Sequence, residues 1–250
     1  MTSLRPHSVV EVALKAAVLV HQSGGDAART ESTMRRVATA LDVERVDTMV
    51  SSLSMSLTIK YKGEIFTGMR RSPHMGVNFR ALTGMERALL ALEKKRITLE
   101  AFERIVDKLY LPKPYYPPWV LLPCVGLACA GFAAMFLGDA YTILIAFIAG
   151  MIGMTTRYLL AQKHYKPFIV TAIAAFVATL IAGTLQSFTS TPNLAIAASV
   201  LFLIPGVPLI NGASDMLNGS YLNALIRLTM GLTMITSLSL GMSVALRIVS

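Results

Sequence analysis

Acidic residues nearly vanish from the second part of this 250-residue chain: of its 14 Asp and Glu, only Asp139 and Asp215 lie beyond residue 116. Basic residues thin out in the same place, where five of 23 remain. So little charge over so long a stretch excludes a soluble domain there and reads as membrane. Cysteine is scarce as well. Cys124 and Cys129 share one apolar run without a His or carboxylate neighbour, which excludes a disulfide framework and a metal site. The four histidines, His7, His21, His74 and His164, lack ligand spacing. No nucleophile–base set and no phosphate loop points to an enzyme, so neither metal nor cofactor is expected. No aromatic-interleaved basic stretch marks a nucleic-acid surface. A secretory signal is missing too, because the apolar run 9–20 carries Glu11 and Lys15 and is too short to cross a bilayer.

What is present is apolar. Hydrophobic residues make up 54% and the mean hydropathy is +0.59. The charges concentrate in residues 1–110, a basic, mixed-charge domain suited to lie beside an anionic lipid surface. Within it, Val9, Val12, Ala13, Ala16 and Val20 recur at three and four, predicting an amphipathic helix ended by Gly24-Gly25. Asp26 is an N-cap for a second helix to about Leu41. A glycine turn before a helix can hold phosphate, but Asp26 fills that position and repels an anion. Residues 46–50 and 54–69 predict strands, the latter a hairpin turning at Lys62-Gly63. A loop over 70–76, a helix over 78–95 and a helix over 99–109 capped by Thr98 complete an α+β domain.

A proline-rich linker at 111–118 follows, with Tyr115, Tyr116 and Trp119 suited to the headgroup level. Apolar stretches at 119–137, 140–160, 168–185, 194–210 and 222–246 then predict five transmembrane spans. The fold class is thus an α-helical membrane protein, a cytosolic α+β domain followed by a five-helix bundle. Lys163, His164 and Lys166 lie between spans two and three, while the other connections on the opposite side are uncharged or acidic. The positive-inside rule puts the N-terminus in the cytoplasm and the C-terminus in the periplasm.

The fourth span is interrupted. Pro205 and Pro208 lack a backbone N–H and Gly206 frees the backbone to turn. Unpaired backbone at membrane depth is tolerated only when buried in protein or lining a wet cavity. Asn211 and Asp215 follow one helical turn apart, so they share a face. Two readings fit: the Pro-Gly pair ends the span and leaves Asp215 in cytosolic water, or the break lines a transport pathway.

Arg29-Thr30-Glu31 after Gly24-Gly25, then Gly76-Val77-Asn78, then Pro205-Gly206-Val207-Pro208-Leu209-Ile210-Asn211 with Asp215 carry a resemblance. In this order, in a chain of five spans, they resemble the threonine/serine exporter (ThrE) family, most of all its split, YjjP-like type. The resemblance covers nearly the whole chain. It implies a bacterial inner-membrane exporter of small carboxylate metabolites, succinate or another dicarboxylate, with threonine and serine as the alternative. For the split type it also implies a second small multi-span membrane subunit of the same family. Five spans fit that partnership, because a second five-span unit would lie inverted to the first. A homo-oligomer remains open.

Few residues are candidates for the pathway. Arg157 sits about a turn inside the cytosolic end of the second span, where it either holds a substrate carboxylate or snorkels to the interface. Arg227, one turn into the fifth span, is read as interfacial. Asp215 either takes and releases a proton or pairs with Arg227. Pro205, Gly206, Pro208 and Asn211 shape the break, and Arg29, Glu31 and Asn78 form the motif of the N-terminal domain. Two other classes stay open: a membrane-anchored regulatory or enzymatic domain, and a passive channel.

Overall fold

Helix α1 (Pro6–Gln22) is buried nearly all round. The expected amphipathic face, Val9 to Val20, is only part of it, because Val10, Leu14, Ala17, Val18 and Leu19 are buried too. A helix apolar on every side belongs inside a core, and other elements cover it. Of its two charged residues, Lys15 is met by Glu103 at 3.6 Å and by Asp107. The structure, a computed structural model, describes residues 6–40, 43–72, 76–110, 116–163 and 165–249. The expected end of the second helix at Leu41, the 73–75 part of the loop with His74, the 111–115 part of the linker with Tyr115, and His164 lie outside these residues.

The chain divides into two units. The first combines residues 1–113 with 207–229. Around α1 it places α2 (Ala27–Thr39), an antiparallel sheet of β1 (Arg45–Val50), β2 (Ser54–Tyr61) and β3 (Glu64–Arg71), then α3 (Phe79–Glu93) and α4 (Leu99–Tyr110). Met55, Leu57 and Ile59 point from the central strand into the core. Gly68, paired with Leu57, lets α1 lie close on the sheet: a Cβ there would stand 2.5 Å from Val10 Cγ1. The caps are local, as expected. Asp26 accepts from the Arg29 amide at 2.8 Å, Asn78 from the Ala81 amide at 3.0 Å, and Thr98 from the Ala101 amide at 3.3 Å. An ion-pair cluster ties α2 to α3, with Arg36 bonded to Glu86 and Glu93.

Segment 207–229 adds most of α9 (Gly206–Leu217) and the start of α10 (Tyr221–Val249). The turn between them uses Gly219 at φ +77, a conformation that suits glycine. Gly212 lets the two helices approach, since a Cβ would meet Leu228 Cγ at 2.8 Å.

The second unit, 114–206 with 230–250, holds α5 (Pro118–Met135), α6 (Ala140–Gln162), α7 (Pro167–Thr184), α8 (Pro192–Ser199) and the rest of α10. Small residues set its spacing. Added Cβ atoms at Gly126, Gly150 and Gly153 would strike the Phe147 carbonyl, Cys129 and Ala178 at 2.7–2.8 Å, and Ala174, Ala178 and Ala182 are fully buried. Among the described residues, α5, α6, α7 and α10 are each long and apolar enough to cross a membrane. The bent pair made of Pro192–Leu203 and α9 is a fifth if it is one broken span. The break falls at Ile204 and Pro205, where the residue sequence places it. The second half does not stop near residue 210; it stays helical to Leu217, so Asp215 lies in a helix and not in a loop.

Candidate functional site

The site begins with the turn that joins α1 to α2. Gly24 at φ +96 reverses the chain, and the Gly25 amide donates to Val20 O at 2.9 Å. Asp26 then caps α2, leaving the first amide of the helix, Ala27, aimed outward. That amide donates to Asp215 Oδ1 at 2.8 Å, across 188 residues of sequence. Helix α9 meets the same turn twice more. Asn211 Nδ2 donates to Gly24 O at 2.8 Å and Ser214 Oγ to Asp26 Oδ2 at 2.9 Å. Asn211, Ser214 and Asp215 fall at i, i+3 and i+4, so one face of α9 carries all three. From α10, Arg227 Nη2 donates to Gly25 O at 2.8 Å, and its Nε stands 3.1 Å from Asp215 Oδ2.

This geometry shows where Asp215 stands. Its side chain is 0% exposed, so it does not stand in cytosolic water. It pairs with Arg227, whose side chain is itself only 11% exposed. Two carboxylates, Asp26 and Asp215, share the amino end of α2. The helix dipole and the guanidinium offset their repulsion. One feature of the pair is incomplete. Asp215 Oδ2 is buried without a hydrogen bond, because the Nε–H of Arg227 is near it but out of line.

The N-terminal motif fastens this unit. Glu31 accepts from Thr48 Oγ1 at 2.9 Å and pairs with Arg35, while the Arg29 amide belongs to the α2 cap. The Asn78 amide donates to Ser23 O at 2.9 Å, holding α3 against the end of α1. Asn223 bonds Val50 O and Ser52 at 3.0 Å each, securing the start of α10 to the sheet.

In the second unit, Arg157 Nη1 donates to Phe202 O at 3.2 Å. Neither sequence reading anticipated this partner, and the break explains it. Residue 205 is proline and cannot donate, and the Gly206 amide bonds Ile204 O instead, at 2.9 Å. The Phe202 carbonyl is left without a helical donor, and the guanidinium supplies one. Between α5 and α6, Asp139 accepts from the Thr142 amide at 2.7 Å, Thr189 Oγ1 at 2.9 Å, and the Ser190 amide and hydroxyl at 2.9 and 2.8 Å. These donors hold its carboxyl well below the usual carboxylate range. Sequence reasoning missed Asp26 and Ser214 as site residues. The signals were a Gly-Gly-Asp at a helix start and the i+3 spacing from Asn211.

Comparison with known proteins bears on what these residues serve. The family model described as "ThrE: Putative threonine/serine exporter" matches residues 11–249. The chain belongs to the ThrE family. Among ThrE relatives, a protein of Klebsiella aerogenes named "Probable succinate transporter subunit YjjP" is 34% identical over 85% of this chain and 83% of its own length. A protein of the same name in Escherichia coli is 30% identical over 99% and 97%. A "Threonine/serine exporter" of Corynebacterium glutamicum is 28% identical over 60% of this chain and 32% of its own. No solved structure matches. As a ThrE protein with several membrane-crossing helices, the chain is a multi-pass membrane protein and an exporter subunit. Helix α9, the second part of the bent pair, carries a buried, ion-paired carboxylate.

Proposed function

We propose that this ThrE chain is one subunit of a proton-coupled exporter of small carboxylates, succinate foremost, in the bacterial inner membrane. The observation that carries this reading is Asp215: a fully buried carboxylate on the second half of a broken span, paired with Arg227 and with a helix-end amide. Discontinuous helices carrying ionisable groups recur at transporter sites. Pro205 breaks the backbone, Gly206 and Pro208 begin α9, Asn211 and Asp215 follow on it, and Arg157 is an anion contact beside the break. The relatives named as succinate transporter subunits support the substrate and the partner. That partner is a second small multi-span subunit of the family. The loop charges support a cytoplasmic N-terminus and a periplasmic C-terminus.

The family description and the Corynebacterium relative favour a second reading, export of threonine and serine. Both substrates present a carboxylate, and the same experiment separates them. Vesicles carrying the chain and its partner are loaded with labelled succinate, threonine or serine. Efflux is followed with and without a proton gradient. Proton-dependent efflux of succinate above that of the amino acids is expected. Equal release of all three, indifferent to the gradient, would identify a passive channel instead.

A further inference from the structure

We infer that the amino end of α2, together with Arg227, is a carboxylate-binding site that Asp215 occupies in the substrate-free protein, and that a substrate carboxylate takes it over when Asp215 accepts a proton. Anion and proton then cross in the same direction. This deepens the exporter reading and rests on it: that reading names Arg157 as an anion contact but gives Asp215 no anion seat of its own and the proton no direction.

Three observations lead there. The first is the donor set. The Ala27 amide, the α2 dipole and the Arg227 guanidinium converge on one carboxylate, at 2.8 Å and 3.1 Å. Helix amino ends and guanidinium forks both recur as protein receptors for such a group. The second is that Asp215 fills the receptor imperfectly. Its Oδ2 is buried with no aligned donor, because the backbone of α9 fixes where the carboxylate reaches. A free substrate carboxylate has no such tether and can turn to meet the fork in line. The third is the surrounding charge. Asp26 from the α1–α2 turn and Arg227 from α10 are the charged groups against Asp215, and Asn211 and Ser214 on its own helix are neutral. While Asp215 is ionised, the site holds two carboxylates and one cation, and a third anion is repelled. One proton from the cytosolic water on Asp215 Oδ2 neutralises it and releases the Ala27 amide and Arg227. The substrate carboxylate then restores the same charge. On the far side the substrate leaves, the proton leaves, and Asp215 returns to its seat.

The test is the sign of proton movement. Vesicles carrying the chain and its partner are loaded with succinate and a pH-sensitive dye, with the membrane potential clamped and no imposed pH gradient. Succinate leaving down its own gradient should make the lumen alkaline, by about one proton per molecule. Any succinate that leaves through Asp215→Asn should do so without that change, since the neutral amide stands in for the protonated carboxyl, yields Ala27 and Arg227 to the substrate, and cannot titrate. Binding to the wild-type pair should weaken about tenfold per pH unit where Asp215 is ionised, and binding to Asp215→Asn should be flat with pH. Arg227→Lys should weaken succinate binding at least tenfold while the protein inserts normally. A lumen that turns acid, or no proton movement, during succinate efflux would overturn the inference and leave the exporter reading standing. A wild-type pair that moves no succinate would overturn both.

Discussion

Arg227→Met removes the cation paired with a fully buried carboxylate and the donor to Gly25 O. Breaking a buried pair from one side costs about 3–5 kcal/mol, because a charge is left uncompensated. Asp215→Asn alone removes the other charge and leaves the guanidinium bonded to Gly25 O, a loss of about 2 kcal/mol. If the two residues act as one unit, the double variant loses little more than the worse single. The coupling energy is then about 2 kcal/mol, toward the upper end for residues in contact. That corresponds to about a thirtyfold change in a local opening equilibrium. Hydrogen exchange of the 24–30 segment in lipid nanodiscs reads it directly, since the Ala27 amide is bonded to Asp215. Additive effects of the two substitutions, within about 0.5 kcal/mol, would refute the unit and with it the idea of a shared carboxylate seat.

Three further predictions follow from other parts of the molecule. Arg157→Gln keeps a donor for the Phe202 carbonyl but removes the charge, so the protein should insert normally and its KM for succinate should rise; an unchanged KM would leave Arg157 as the cap of the helix break alone. Asp139 has its carboxyl lowered in the folded state, so its stabilisation is complete above the ordinary carboxylate pKa and is lost progressively as pH falls from there through the lower folded value. Exchange protection of the 186–193 segment should therefore be flat from neutral pH down to the ordinary carboxylate range and fall steadily below it, and the Asp139→Asn variant should lack that dependence. In Gly241→Ala, the new Cβ would stand 2.1 Å from the Ala172 carbonyl oxygen, a backbone atom that cannot rotate away, so the thermal midpoint in detergent should drop by the equivalent of about 1–3 kcal/mol. Gly131→Ala, with nothing within 4 Å of the added carbon, serves as the control and should leave it unchanged.

Much of this protein was legible in its residues because the governing physics is local. A span announces itself by the absence of charge, since hydrocarbon rejects charge wherever the helix packs. Asp26, Asn78 and Thr98 declared helix starts because a cap bonds amides two or three residues on. Lys62-Gly63 declared a hairpin, and Pro205 declared the break, from backbone chemistry alone. Even the shared face of Asn211 and Asp215 follows from helix geometry.

Spacing reports what lies on one element and is silent on what packs across from it. Val10, Leu14 and Leu19 lie off the regular stripe of α1, and only the sheet and helices around them show why that helix is apolar on more than one face. The carbonyl that Arg157 caps lies 45 residues later in the chain and is left open by the break that follows it. The seat of Asp215 is the sharpest case. A lone aspartate beyond a Pro-Gly break is equally consistent with water and with a buried pair. Its ionisation, its partner and its use depend on an amide 188 residues away and on an arginine of the next helix. Coulomb energy and desolvation are set by distances in space, and folding alone brings those groups together.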